Sequence, residues 1–549
     1  MISQIFYQTL IFWTILLLCL FTIKYFKINR SRRKFCVFIF TVILTVIFIS
    51  PLKSFIFSNL LNYTSRRSYE DYHNYSVEEN FQRYERDRQN LVAKYPDWDK
   101  ATIKLRNNYA EKLRKDKNEI NLGVSIEYLL DSNKNEANQL ISLRNYEIQE
   151  LESGRFGKDI WFTGRPNIIK NEYDSSLESL NHGFDAKVNL DGNKKGKGSY
   201  KVIIGDHILY RYEILKYLSN GSFGKVVLVK DHKYKNDIKL ALKILNNGTS
   251  YNQHYLQQEA ITSKNMKNAM TKLDYSFLAP IKESSFFRNH IILTYDLLGK
   301  SVTSKYDKGK TIQNVELLKT IAWDMLESLA SLKRLDVLHN DMKYDNFLLL
   351  KSETEENYRT DYPYIKIMDY GHSCLPTDPK PTHCRGKMVA HYKSPEALLN
   401  YDCTTACDMW CYGSALGRLI TGSRLIESMP IERMLAEMIN IIGEVPEDML
   451  KTSEAKRMYE KAMKVRINDA KKEHTSKQND GTHNNNTLHS SSWRVILGKA
   501  DHVLKNDDLF IDFIEKILTW DPSERLTPYE AMAHPWFDDF ATKRFALHV

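Results

Sequence analysis

Acidic residues are missing from the first 69 positions, and the first one is Glu70. Cysteine is scarce: seven in 549 residues, five of them beyond residue 370 and none in framework-like spacing. The odd count and irregular spacing exclude a small disulfide-stapled scaffold and read as reduced thiols. Neither a Cys/His finger spacing nor an aromatic-plus-basic RNA signature occurs, so nucleic acid is not an expected partner. Glycine (22) and proline (14) are too few for a collagen-like chain. What is present, 42% hydrophobic and 27% charged residues, describes a globular chain. Its length accommodates two to four domains of roughly 100–200 residues.

The net charge of +10 is unevenly placed. Residues 1–60 carry Lys24, Lys27, Arg30, Arg32, Arg33, Lys34 and Lys53 and no acid, so most of the excess sits at the N-terminus. Ile5–Ile23 has no charge, and nineteen helical residues at 1.5 Å rise cross a hydrocarbon core about 30 Å thick. A second apolar run, Phe35–Ile49, extends past Pro51 and is interrupted by Lys53. Six positive charges between Lys24 and Lys34 separate the runs. Two readings stand: a transmembrane hairpin (about 5–23 and 35–52) with a basic turn, or one signal-anchor followed by an interfacial segment. Both attach residues 1–60 to membrane lipid. The positive-inside rule puts the basic turn in the cytosol, which for two spans sends the rest of the chain to the lumen. Cysteine usage and the sequon at Asn220 argue instead for a cytosolic remainder, and both orientations stay open.

Residues 61–140 are polar and read as a spacer, with Ala101–Leu113 as a solvated helix. Asp185–Gly198 reads as loop. Strand-like runs follow at Lys201–Ile204, Tyr212–Leu218, Val226–Asp231 and Lys239–Leu245. Helices dominate from about Glu316. In Val315–Leu335 the residues Val315, Leu318, Ala322, Met325, Leu329 and Leu332 fall on one face. Strands first and helices afterwards predict an α+β chain with a β-rich lobe and an α-rich lobe. Lys464–Ser492 is polar and low in complexity, and reads as a surface insertion.

Seven short motifs occur in a fixed order. Leu218-Ser-Asn-Gly221-Ser222-Phe223-Gly224-Lys-Val226 lies between two strand-like runs, where glycines let backbone amides approach phosphates. An apolar strand carries one lysine, Leu240-Ala241-Leu242-Lys243. Then come His339-Asn340-Asp341-Met342-Lys343-Tyr344-Asp345-Asn346, Asp369-Tyr370-Gly371, Ser394-Pro395-Glu396, Asp408 to Gly413, and Trp520 to Arg525. Each alone is weak, but the order is specific. It resembles the eukaryotic protein kinases.

That resemblance implies a bilobal kinase fold over residues 212–537, ATP as phosphoryl donor, Mg²⁺ as cofactor and protein substrates. Lys243 would hold the α/β-phosphates and pair with Glu259. Leu218, Gly221, Ser222, Phe223 and Gly224 would cover the nucleotide, with Val226 and Ala241 around the adenine. Asp296 to Leu298 would offer hinge backbone groups. Asn346 and Asp369 would bind the metal through hard oxygens. Asp341 would accept the substrate hydroxyl proton, and Lys343 would neutralise the transferring phosphate. Glu396, Arg525 and Asp408 would be structural. The competing reading is a membrane-anchored pseudokinase scaffold that binds nucleotide or partners without transfer.

Further text narrows the family. Gly198-Ser-Tyr200, Asp206-His207, Tyr210-Arg-Tyr-Glu213, Arg288-Asn-His290, Asp369-Tyr-Gly-His-Ser-Cys374 and Gly443-Glu-Val-Pro446 are similar to the dual-specificity tyrosine-phosphorylation-regulated kinases (DYRK) of the CMGC group. Leu143 to Ile148 with Asp159 to Gly164 resembles the accessory region of the class II branch, here residues 141–205. Residues 464–492 sit at the CMGC insertion. The family implies Ser/Thr phosphorylation, tyrosine autophosphorylation in maturation and proline after the target residue. Three positions depart from it. Ser219 replaces the first phosphate-loop glycine, Cys384-Arg385-Gly386 replaces the Tyr-x-Tyr activation motif, and Lys393 replaces the arginine before Ser394-Pro395-Glu396. His339-Asn340-Asp341 also lacks the usual arginine that senses loop phosphate. Activation is therefore expected without a loop phosphotyrosine. Cys403, Cys407 and Cys411 share a helical face but have no histidine to complete a metal site, so they read as core.

Overall fold

The computed structural model describes residues 77–117, 120–121, 124–126, 145–153, 159–161, 200–221, 224–246, 261–271, 274–288, 290–306, 311–350, 361–374, 388–480 and 493–548. The apolar runs at 5–23 and 35–52 lie outside these residues, as do Ser222, Phe223, Glu259 and Cys384 to Gly386. Among the described residues no helix is long and apolar enough to cross a membrane.

The first lobe is a six-stranded antiparallel sheet in the order β3-β4-β5-β6-β8-β7. Its strands are β3 (His207–Ile208), β4 (Tyr212–Asn220), β5 (Gly224–Asp231), β6 (Lys239–Leu245), β7 (Glu283–Phe287) and β8 (His290–Asp296). Two earlier short strands, β1 (Val124–Ser125) and β2 (Asp159–Ile160), pair with each other. Residues 201–204, expected as a strand, form no ladder; the chain turns there, and Gly205 takes φ 82°. Alternation sorts the faces of β6. Leu240, Leu242 and Ile244 enter one core with Val227, Val229 and Ile292. Ala241 and Leu245 face the other way with Leu293 and Tyr295, so Lys243, by its period, shares that second face.

Helices α1 (Val77–Lys94), α2 (Pro96–Lys117) and α3 (Asn145–Glu152) precede the sheet. The second lobe is built on α4 (Val315–Arg334), capped by Asn314, whose side chain accepts from Leu317 N at 3.1 Å. It continues through α5 (Thr405–Thr421), α6 (Ile431–Ile442), α7 (Ser453–Asp480), α8 (Trp493–Lys499), α9 (Asp508–Ile517), α10 (Pro528–Met532) and α11 (Asp538–Ala546). A small hairpin, β9 (Phe347–Leu349) with β10 (Ile365–Ile367), carries the cleft loops.

A further expectation is corrected. The polar stretch 61–140 contains a helical hairpin packed on the second lobe. Proline at the first position of α2 suits a helix start. Tyr84, Leu91, Tyr95, Trp98 and Ala101 join the same core as α4. Trp98 Nε1 donates to buried Glu327, and the Tyr95 ring lies edge-on to Trp323 at 5.9 Å. The Tyr84 and Tyr529 hydroxyls share a hydrogen bond of 2.9 Å, and Arg83 reaches Glu530 at 3.0 Å. The polar residues buried on α4 have separate partners: Glu327 takes the Trp98 donor of α2, Asp324 accepts from Arg544 and Tyr364 N, and Ser328 donates to Phe277 O. Of the expected insertion at 464–492, residues 481–492 lie outside the described residues. Residues up to Asp480 continue α7, and Arg466 is buried against Asn440 (3.0 Å) and Glu444 (2.6 Å).

On the first lobe, α3 docks through charge. Arg288 Nε bonds Glu150 Oε1 at 3.0 Å, and its guanidinium lies 3.6 Å from Glu147. Burial drives the Tyr210 hydroxyl, which donates to Glu150, far above its ordinary pKa.

Candidate active site

The glycine-rich segment joins β4 to β5 in a tight turn, where Gly221 N donates to Gly224 O at 2.9 Å. A Cβ on Gly224 would lie 2.2 Å from Ile244 O, so only glycine lets β5 approach β6 here. Leu218 is exposed on the arm of the turn, and Val226 and Ala241 are half-buried. Val226 is registered opposite Lys243, and Leu228 opposite Ala241. Asp296 ends β8 in register with Leu240 of β6 and pairs its side chain with Lys282 at 2.7 Å; Leu298 follows where the chain leaves the sheet.

Across the cleft, Lys243 Nζ sits 3.2 Å from Asp369 Oδ1. Asp369 adopts φ 70°, ψ 76°, and Tyr370 is buried behind it against the His339 ring at 5.3 Å. Lys343 Nζ contacts Asp341 Oδ1 at 2.8 Å and Oδ2 at 2.7 Å. Asn346 Nδ2 donates to Asp341 O and Oδ2, both at 2.8 Å. The structure therefore brings together Lys243, Asp369, Asp341, Lys343 and Asn346 from β6 and two loops.

The catalytic loop is held from below. Asp408 on α5 accepts from His339 N at 2.7 Å and Asn340 N at 3.0 Å. Glu396 and Arg525 form a two-point pair at 3.0 and 3.2 Å, both side chains sealed from solvent. Arg525 also donates to Thr519 O at 3.0 Å. Cys407 donates to Glu396 Oε1 at 3.0 Å, and Cys403, Cys407 and Cys411 are buried free thiols, as expected of core. Cys374 differs from the reduced-thiol expectation: it is disulfide-bonded.

Burial and charge set the protonation states. Burial raises the Asp341 carboxyl above its ordinary value, against the pull of Lys343 and Asn346. For Asp369 burial also works upward, but the Lys243 ammonium overcomes it and holds the carboxylate low. Burial pushes Asp408 up to about 7, opposed by its two backbone donors. Burial lowers His339 to about 4, so the imidazole is neutral.

Sequence reasoning missed what Asn340 does. It stands at φ 64°, a conformation asparagine tolerates better than most residues. Its amide donates to His372 O at 3.1 Å and Cys374 Sγ at 3.3 Å. Leu338 and Cys374 also exchange backbone hydrogen bonds of 3.0 and 2.9 Å. The catalytic loop is thus tied to the start of the activation segment by neutral bonds.

The chain belongs to the protein kinase family: residues 212–537 match the model described as "Protein kinase domain". Within that family it is DYRK-like. It is 28% identical over 390 residues to dual specificity tyrosine-phosphorylation-regulated kinase 3 of Macaca fascicularis, covering 69% of this chain and 62% of the relative. It is 29% identical over 406 residues to the DYRK-family kinase pom1 of Schizosaccharomyces pombe, covering 73% and 33%. It is 30% identical over 386 residues to the probable serine/threonine-protein kinase dyrk2 of Dictyostelium discoideum, covering 69% and 37%. The chain spans about three fifths of the first relative and little more than a third of the last.

Proposed function

We propose that the chain is a membrane-attached, DYRK-like protein kinase that transfers the γ-phosphoryl group of ATP to Ser or Thr of protein substrates. The observation that carries the reading is the meeting of Lys243–Asp369 and Lys343–Asp341–Asn346 in one cleft. Phosphoryl transfer asks mainly for positioning and charge neutralisation, and this set supplies both. Asp341, fixed by Lys343 and Asn346, takes the hydroxyl proton; its raised basicity suits that task. Lys343 neutralises charge on the group in transit, and Lys243 holds the donor phosphates.

The oxygens fit Mg²⁺. Asn346 spends its amide hydrogens on Asp341, so its carbonyl oxygen is the end left for a cation, and Asp369 engages Lys243 through Oδ1 alone. Bound there, the metal would neutralise phosphate charge.

Asn340 supports activation without loop phosphotyrosine, because neutral bonds replace an arginine that reads a phosphate. The apolar runs at 5–23 and 35–52 support membrane attachment through residues 1–60, with the kinase lobes on the cytosolic side.

The test is phosphate incorporation into myelin basic protein by the full chain, with Asp341→Asn as control. Equal signal from both proteins removes the catalytic reading and leaves the pseudokinase scaffold. Protease protection of the lobes in sealed microsomes would overturn the cytosolic placement.

A further inference from the structure

Strand register brings three metal-ligating side chains together at the end of the β4–β5 hairpin opposite the glycine-rich turn. His207 on β3 is paired directly with Glu213 on β4, so the two side chains leave the same face of the sheet. His232 follows the last residue of β5, and its backbone N–H donates to Arg211 O at 3.2 Å. Its ring nitrogen Nε2 lies 2.8 Å from Glu213 Oε2. The His207 and His232 rings stand 5.4 Å apart, centre to centre, with 29° between their planes. One nitrogen of each imidazole and one oxygen of Glu213 fall within 4.8 Å of one another. Among the described residues, no other three His, Cys, Asp or Glu side chains converge in this way.

The backbone behind the cluster is held without an ion. Asp206 Oδ1 accepts from His207 N at 2.9 Å. Arg211 grips Asp231, the residue before His232, at 2.8 and 2.7 Å. Asn121, from the segment that precedes this lobe, donates to the carbonyls of His232 and Tyr234, both at 3.0 Å. Trp161 Nε1 in turn donates to Asn121 O at 3.1 Å. The strands and these bonds fix where the three side chains start, and only side-chain rotation is left to complete a site.

The donor set selects the metal. Two imidazoles and one carboxylate suit a borderline ion such as Zn²⁺, whereas Mg²⁺ asks for oxygens alone. With Zn–N near about 2.0 Å and tetrahedral angles, two imidazoles on one zinc stand about 5 Å apart, close to the spacing seen here. Ligand atoms on a zinc lie about 3.3 Å from one another. The ion would therefore open the Glu213–His232 bond slightly and draw His207 in by about 1 Å. A histidine–glutamate bond needs only two residues; the second imidazole, 2% exposed and facing the first, makes a three-point site. The His232 and Glu213 side chains are 14% and 11% exposed, which gives an ion a way in.

We propose that His207, Glu213 and His232 bind one zinc ion, which staples β3 to the β4–β5 hairpin and leaves its fourth position to water. The site is separate from the Mg²⁺ oxygens of the cleft, and it stands whether or not the cleft transfers phosphate.

The test uses the full chain in detergent, purified without a histidine tag, stripped with EDTA and titrated with Zn²⁺ alone. One equivalent should bind with micromolar or tighter affinity and raise the melting temperature. Glu213→Gln and His232→Gln should each weaken binding by about a hundredfold or more, beyond what loss of a second-layer partner costs. Asp369→Asn, which alters the cleft, should leave the binding unchanged. His232→Cys should keep the ion, and with Co²⁺ in place of zinc it should add a thiolate-to-cobalt absorption band absent from the unmodified protein. Zinc binding that survives both glutamine variants, zinc binding lost in Asp369→Asn, or no binding below millimolar zinc overturns the proposal. Where a glutamine variant fails to fold by circular dichroism, the cobalt band of His232→Cys decides: its presence supports the site and its absence overturns it.

Discussion

The cleft and the scaffold of this molecule hold their carboxylates with different cations. At the cleft the partners are lysines: Lys243 with Asp369, and Lys343 with Asp341, each pair with one side chain more than a quarter exposed. In the scaffold the partners are arginines: Arg525 with Glu396, Arg288 with Glu150, and Arg544 with Asp324, all nearly sealed. An arginine fork fills several acceptors at once and has no reason to leave, as Arg525 shows by bonding Glu396 and two carbonyls. A lysine is one compact charge that can be shared with an arriving phosphate. The molecule separates permanent from exchangeable charge by residue type.

The contrast predicts distinct failures. Asp341→Asn should lower phosphoryl transfer by roughly 10²–10⁴, while thermal melting stays close to that of the unmodified protein; a matching loss of stability would make Asp341 a scaffold residue. Arg525→Met strands the buried Glu396 charge and should cost about 3–5 kcal/mol in urea unfolding. Adding Glu396→Leu should recover most of that loss, and failure to recover would mean the pair itself stabilises the fold. Trp98→Ala empties a buried site and removes a donor from Glu327, for about 3–5 kcal/mol, without direct effect on the cleft.

The pH dependence should carry the signature of a buried neutral histidine. His339 titrates near 4 in the fold against an ordinary 6.5, so the unfolded chain binds the extra proton between those values. Its contribution is complete above pH 6.5 and is lost as pH falls towards 4, about 3 kcal/mol across that window. Glu327, raised by burial to about 7, has the opposite sign: the protonated form favours the fold, and stability falls as pH rises from 4.5 through 7. Glu327→Gln should make the neutral limb of the stability profile shallower, with Asp408, also raised to about 7, supplying the slope that remains, and leave the acid limb. The smallest effect belongs to Thr527→Ala, which opens the capping box with Glu530 and should cost about 1 kcal/mol.

The kinase lobes were legible because their chemistry is local and ordered. Lys243, Asp341, Asn346 and Asp369 stand in short motifs, and the Val315–Leu335 stripe announces its helix. The α1–α2 hairpin was hidden by its composition. It contributes few large apolar residues, Tyr84, Leu91, Tyr95 and Trp98, at spacings interrupted by charge. Its partners are polar groups on α4, α10 and α11 that hydrophobic periodicity does not register. Asn340 was read as a missing arginine because its use depends on a left-handed backbone and on a residue 34 positions away. The strand expected at 201–204 failed because β3 begins only after the turn at Gly205.

The hairpin also bears on where this kinase can be cut. Residues 212–537 delimit a family, but the folding unit begins well before them and includes α11 after them. A fragment starting at 141 would strip Glu327 of its Trp98 donor and leave Tyr529 and Glu530 without Tyr84 and Arg83. Such a fragment would enter any assay with an open wound on its helical lobe. Its silence would report a truncated protein and say nothing about the chemistry of the cleft.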